Sequence, residues 1–377
     1  MIKNIESRLF IIKRIKYYEN KLKETENSKK KILIEEAICS LKKFYNDYYG
    51  RYVQEPNISM KKIEMDDKGT LSIYRDFLPF IYKVYEEVYA KKSTQNSLPE
   101  LQYVNSDKSK ILSVTKDFYN NIGNIFAEKL NYLYESDNIH IYFYKSSDYD
   151  TTSAVTFKVK NFKEIFIRFG LQNSLEDYLV SIHEHSHAIS SLINSKHIES
   201  DFKKCLSEVD SYFFELVGLE YLKNNGFDKA EINKSLHTFL EFIENCFKFI
   251  IGKDTLYKEG SINKVYSLEE IINMYIEKFG YTEDEAYNMA IAELRGYIAY
   301  STSALVAVEL YHQYKINPNV AIENLKKIIM LEKYNFNEYI KEVEKKKIIR
   351  GEHYKNFYEM VCSDEKRKYN NELKKQL

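Results

Sequence analysis

The segment HEHSH, residues 183–187, contains residue types and a spacing that suit metal chemistry. It matches the pattern HExxH, in which the two histidines are about one helical turn apart. His183 and His187 would therefore project from one face of a helix and could bind one zinc ion together. Glu184, rotated by about 100° from His183, would lie beside the metal. There its carboxylate could be the general base that takes a proton from a zinc-bound water molecule.

The alternative interpretation of this segment is a polar helix face with solvated histidines. A chain with eight histidines contains HExxH by chance in roughly one case in a hundred. The pattern therefore needs support from the residues and elements around it.

Zinc also needs a third protein ligand, and the neighbouring residues narrow the choice. The metzincin pattern would place glycine at position 190 and histidine at position 193, where this chain has Ser190 and Ile193. That class is excluded. His185 lies about 200° around the helix from His183 and points elsewhere. His197 remains an alternative ligand beyond a predicted loop.

Glu208 is the preferred third ligand, 25 residues after His183. It lies in a second predicted helix after a loop at 194–200, and such a hairpin can bring the second helix back past the metal. Helical spacing places Glu208, Ser211 and Glu215 on one face. Ser211 and Glu215 would then lie next to the metal ligands, where Glu215 could orient a histidine. Solvated surface acids are the alternative for Glu208 and Glu215.

The helix that carries HExxH needs a second face to anchor it. Apolar residues at helical spacing form a separate stripe that can face the core: Leu175, Leu179, Ile182, Ile189 and Ile193. Ser174, with Asp177 three residues later, predicts an N-cap and a helix that begins at Leu175.

Three segments before this helix are rich in β-branched and aromatic residues, namely IHIYFYK (139–145), AVTFKVK (154–160) and EIFIRFG (164–170). They predict a small antiparallel sheet. Proline and glycine number only 4 and 11, which favours helices elsewhere, including a helical hairpin at 3–48. The predicted fold is mainly α with a small antiparallel β-sheet. We expect an N-terminal helical lobe at 1–135 and a catalytic region at 136–377, with two lobes around a cleft.

The charge balance limits the classes of partner. The 377 residues include 56 basic and 56 acidic side chains, so neither nucleic acid nor a membrane surface is an expected partner. The first residues lack a secretory cleavage site, and the four cysteines show no CxxC pairing. These features predict a soluble, cytoplasmic protein. They leave the oligomeric state open.

The stretch IFIRFGLQNSLEDYLVSIHEHSHA, followed by LSEVDSYFFE, resembles the oligoendopeptidase F and thimet oligopeptidase group of metallopeptidases. In that group a strand precedes the HExxH helix, and the glutamate ligand opens an E-x-x-S segment, matched here by Glu208 to Ser211. The segment RGYIAYSTSALVAVELY (295–311) resembles the group's tyrosine-rich helix. The resemblance implies that Tyr297 and Tyr300 are the candidates to stabilise the oxyanion of the tetrahedral intermediate.

The resemblance covers about 170–215 well and 290–312 loosely. Ser186 replaces a glycine that the group often carries, and the chain is shorter than usual members before the motif. The expected function is that of a gluzincin, a zinc-dependent endopeptidase that cleaves oligopeptides or one dedicated peptide. Two alternatives stay open: an inactive peptidase-fold protein that binds peptides or other partners, and a helical protein without metal.

Overall fold

The computed structural model describes residues 5–49, 60–73, 75, 77–90, 107–145, 154–194, 206–259, 266–292, 294–330 and 353–361. The strands are β1 Ile139–Lys145, β2 Ala154–Lys158 and β3 Ile165–Leu171. The helices are α1 Ile5–Glu24, α2 Ser28–Tyr49, α3 Met60–Ile73, α4 Leu78–Val84, α5 Lys108–Ile122, α6 Asn124–Glu135, α7 Glu176–Ile193, α8 Val209–Asn224, α9 Lys229–Glu259, α10 Leu268–Phe279, α11 Glu283–Ile291, α12 Leu294–Ile316 and α13 Pro318–Ile329. A π-helical turn at Tyr85–Tyr89 follows α4, and a further helical segment covers 353–361. The predicted class, mainly α with a small sheet, is confirmed.

The sheet has the strand order β1-β3-β2 and is mixed. Strand β2 runs antiparallel to β3, whereas β1 runs parallel to β3, so the prediction of an antiparallel sheet is wrong for that pair. The turn between β2 and β3 includes Asn161 at φ 67°, and it reverses the chain. Strand β1 pairs with the other edge of β3 and points in the same direction as β3. Residue alternation reports the faces of a strand but not its pairing partner.

Two helical layers cover the two faces of the sheet. Phe166 of β3 joins a buried cluster with residues of α1 and α2, including Ile11, Ile34 and Phe44. On the opposite face, Ile165, Ile167 and Phe169 of β3 form a second cluster with Leu133 of α6 and Ala188 of α7. Strand β3 is buried on both faces, as expected for a central strand with helices on each side.

Helix α7 begins at Glu176, and its N-terminus differs from the predicted cap. Leu175 occupies the N-cap position and makes no side-chain cap, so the prediction for Ser174 is wrong. Instead, the buried carboxylate of Asp177 accepts hydrogen bonds from the backbone N–H groups of Gln172, Asn173 and Ser174, at 2.8, 2.8 and 3.3 Å. The chain ahead of the helix folds back around one acidic side chain.

The apolar stripe of α7 is buried at Leu175, Leu179, Ile182 and Ile189 and half-buried at Ile193. Tyr119 of α5 donates a hydrogen bond to the backbone oxygen of Ile182 at 2.7 Å. Gly218 of α8 lies so close to Ile182 that an added Cβ would be 2.9 Å from its Cδ1 atom. The glycine thus permits close packing of α8 on α7.

The chain divides into two compact units. One comprises Met1–Pro56, Leu101–Ser195 and Gly218–Asn225, and the other Asn57–Glu100, Lys196–Val217 and Gly226–Leu377. The division falls within α8, so this helix contributes to both. The lobes predicted at 1–135 and 136–377 remain a prediction. No helix in the described ranges is long and apolar enough to span a bilayer.

Candidate metal centre

His183 and His187 lie one turn apart on α7, and their rings are nearly perpendicular, with centroids 4.8 Å apart. The two Nε2 atoms are 3.1 Å apart, and both side chains are half-buried. Around a tetrahedral zinc ion with bonds near 2.0–2.1 Å, donor atoms are separated by about 3.3 Å. The histidine pair therefore has the spacing of two ligands of one ion.

Glu208 directly precedes α8, and its backbone oxygen accepts the first helical hydrogen bond, from Tyr212 at 3.0 Å. One donor atom each from His183, His187 and Glu208 lies within 4.8 Å of the others. The carboxylate owes its position to α8, which packs on α7 through Gly218. Two imidazoles and one carboxylate form a donor set that fits zinc and leaves a coordination position open.

Ser211 of α8 and Ser303 of α12 contact Glu208. Oγ of the fully buried Ser211 lies 3.1 Å from Oε2 of Glu208 and 3.0 Å from its backbone oxygen, and its one hydrogen can be donated to either. The backbone N–H of Glu208 donates to Oγ of Ser303 at 3.2 Å. The structure thus places Ser211 next to the candidate ligand, where a hydrogen bond orients a carboxylate.

Tyr212 is a buried residue near Glu208 and Glu215, and it was not among the residues predicted from the sequence. Burial raises its pKa well above the usual value, and the charges of Glu208 and Glu215 raise it further. Tyr212 therefore stays neutral. The signal was available, because Tyr212 follows Glu208 by four residues and so shares its helix face. Glu215 is half-buried near Tyr212, and its role in orienting a histidine remains a prediction.

Glu184 is buried beside the first histidine, with 6% of its surface exposed. Oγ1 of Thr156, in β2, lies 2.6 Å from Oε2 of Glu184 and 2.9 Å from its backbone oxygen. Thr156 was not among the predicted site residues. The alternation of residues in β2 predicts which side chains share a face with Thr156, but it does not predict which helix packs on that face.

His185 points away from the histidine pair, as predicted, and is fully buried against α6. Its Nδ1 lies 2.7 Å from the backbone oxygen of Ser181, which can only accept, so Nδ1 carries the hydrogen. Nε2 then accepts from the hydroxyl of Tyr134 at 3.0 Å. Burial lowers the pKa of His185 to about 4 and keeps the ring neutral. This ring anchors α7. The alternative ligand His197 lies outside the described residues.

Tyr297 and Tyr300 are both half-buried on α12. The ring of Tyr297 packs on Phe249 with centroids 4.2 Å apart, and the ring of Tyr300 packs on Phe242 at 5.4 Å. Burial raises the pKa of Tyr297. Ser303, which accepts from Glu208, is one helical turn from Tyr300 and two turns from Tyr297. Tyr300 is therefore the tyrosine nearer to Glu208 along α12.

No protein-family model matches the chain, and no curated protein matches it in sequence. In fold it is similar to a candidate oligoendopeptidase F, with a TM-score of 0.52 at 14% identity, over 93% of this chain and 65% of the other. A candidate peptidase from Chlamydophila abortus has a TM-score of 0.53 at 13% identity, over 82% of this chain and 55% of the other. The chain spans less than two thirds of either structure. At these identities the similarity shows a shared fold with these two structures.

Proposed function

We propose that the chain is a zinc-dependent endopeptidase that hydrolyses peptide bonds in oligopeptides or in one dedicated peptide. The observation that carries this proposal is the convergence of His183, His187 and Glu208 within 4.8 Å, with Glu184 next in sequence to the first histidine. The two fold relatives, each named as a candidate peptidase, support the same class of reaction.

His183, His187 and Glu208 would hold one zinc ion, and Ser211 would orient the carboxylate of Glu208. Zinc, when bound, would polarise the peptide carbonyl group and make a coordinated water molecule more acidic. The neutral imidazoles supply nitrogen lone pairs, and the carboxylate supplies one negative charge. This leaves the site with a net positive charge that favours the developing oxyanion.

Glu184 would accept a proton from the attacking water as its oxygen bonds to the carbonyl carbon. The carboxylic acid would then pass that proton to the leaving nitrogen as the C–N bond breaks. Burial at 6% exposure keeps bulk water away from this carboxylate. Tyr300 or Tyr297 would donate a hydrogen bond to the oxyanion, and the raised pKa of Tyr297 keeps that phenol protonated.

The test combines metal analysis with hydrolysis of a quenched fluorescent peptide library. We expect about one zinc per chain and cleavage that a chelator abolishes and zinc restores. Zinc without cleavage of any library member would favour the peptide-binding alternative. A chain purified without chelators that contains no zinc and acquires none would favour the metal-free helical protein.

A further inference from the structure

Strand β2 is an edge strand of the described sheet, and its two faces contact different helices. Val155 and Phe157 pack against the cluster formed with α1 and α2. Thr156 and Lys158 face α7 instead. Thr156 reaches Glu184, and Nζ of Lys158 donates to the backbone oxygen of Ser191 at 2.6 Å. One face of β2 therefore contacts α7 at two residues, Glu184 and Ser191, which are about two helical turns apart.

The hydroxyl of Thr156 makes the one hydrogen bond to the Glu184 side chain found among the described residues, at 2.6 Å to Oε2. This distance lies within the normal range of an O–H···O hydrogen bond and is the shorter of the two contacts that the hydroxyl makes with Glu184. A hydroxyl has one hydrogen, so it donates either to Oε2 or to the backbone oxygen of Glu184 at 2.9 Å.

We propose that Thr156 is a positioning residue for Glu184 in the hydrolytic reaction. Its hydroxyl binds Oε2 and fixes the rotation of the carboxylate, so that Oε1 is the oxygen that accepts the proton. This inference rests on the proposed function, because it assigns Glu184 the role of proton acceptor.

Lys158 provides a matched control for a purely structural role of the strand. It lies on the same face of β2 as Thr156 and contacts the same helix, where its Nζ donates to the backbone oxygen of Ser191. If β2 only holds α7 in place, loss of either contact should have the same effect on turnover. If Thr156 positions the carboxylate, loss of its hydroxyl alone should slow the chemical step.

The experiment compares Thr156→Val, Thr156→Ser and Lys158→Met in the full-length, zinc-loaded chain. Thr156→Val should lower kcat by about 10- to 100-fold, because a small displacement of a reacting group is enough to slow chemistry to that extent. Its KM and zinc content should change by less than about threefold. Thr156→Ser should have a kcat within about threefold of wild type. The kcat of Lys158→Met should also stay within about threefold of wild type. Thr156→Cys replaces the valine variant if that variant does not fold.

Two kinetic results would overturn the proposal: a kcat for Thr156→Val within about threefold of wild type, or an equal loss in Lys158→Met. A readout independent of turnover is the melting temperature in a double-mutant cycle with Glu184→Ala. Thr156→Val should lower the melting temperature more in the wild-type background than in the Glu184→Ala background. Equal decreases of the melting temperature in the two backgrounds would show that Thr156 and Glu184 do not interact, and would overturn the proposal. A wild-type chain that binds zinc but cleaves no peptide would overturn the proposed function, whereas the cycle would still test the contact.

Discussion

Glu184 lies between two histidines that would bind metal, and its surroundings restrict what it can do. Its surface is 6% exposed, and its Oε2 atom lies within hydrogen-bond distance of Oγ1 of Thr156, at 2.6 Å. His185, the next residue, is turned in the opposite direction and held by Tyr134 and Ser181. Three consecutive side chains, those of His183, Glu184 and His185, therefore have separate environments. Helical rotation of about 100° per residue is the reason.

Glu184→Gln should reduce turnover by about 10²- to 10⁴-fold, because an amide cannot accept the proton from water. Its zinc content should remain near that of wild type, since Glu184 is not one of the three grouped donors. The measurement is a peptide cleavage assay beside elemental analysis of the same preparation. Cleavage at the wild-type rate would contradict the role of Glu184.

Elements anchor the site through contacts that are distant in sequence. Helix α7 is held by the hydrogen bond from Tyr119 of α5 to Ile182 and by the close approach of Gly218 in α8. At the far side of the sheet, Glu164 accepts from Arg14 at 2.7 Å and from Tyr18 at 2.9 Å, and so ties α1 to the start of β3. The site is supported by an anchored helix and an anchored sheet.

Gly218→Val should destabilise the chain and weaken zinc binding, because a branched side chain would overlap Ile182 and push α8, with Glu208, away from α7. Overpacking of this kind costs about 1–3 kcal/mol. The control is Gly69→Val in α3, where an added Cβ would meet no atom within 4 Å. Thermal denaturation and zinc titration of both variants check the prediction. Equal zinc affinity in the two variants would argue against the role of the α7–α8 contact.

Glu164 should make stability depend on pH in the acid range. Burial alone would raise the pKa of Glu164, but hydrogen bonds from His140 and Arg14, and the charge of Arg14, outweigh it and hold the pKa below its usual value. The folded state therefore binds this proton less readily than the unfolded state, and the stabilisation present above about pH 4.5 is lost as the pH falls further. Glu164→Gln should flatten this part of the melting-temperature profile.

The control for that measurement is Glu19→Gln, which removes an exposed carboxylate paired with Lys42 at 2.8 Å. Exposed ion pairs contribute little to stability, so this variant should keep the wild-type profile. A Glu164→Gln profile with the same acid slope as wild type would show that other groups cause the loss.

At the scale of the whole molecule, two of the candidate ligands lie on α7 and the third directly precedes α8, 21 residues after His187. An unfolded chain does not hold them together, so zinc should bind the folded state selectively. The fold relatives are longer, and this chain spans 65% and 55% of them. The described residues nevertheless include all three donors and both candidate tyrosines.

Zinc should therefore raise the melting temperature, and a chelator should lower it. At a free zinc concentration of about 100 times Kd, linkage predicts a stabilisation of about 2.7 kcal/mol. Glu208→Ala should abolish most of this zinc-dependent shift, because it removes one of the three donors. A chelator-insensitive melting temperature in the wild-type chain would contradict a metal centre that spans two helices.

The sequence by itself determined the features that depend on local geometry. The mainly helical class, the three strands before α7 and the approach of His183 to His187 all follow from residue periodicity, because the period of a helix or strand is set within a few residues. Only the tertiary structure decided that β1 runs parallel to β3 and that Thr156 contacts Glu184. These are choices of partner, and they depend on how distant segments pack.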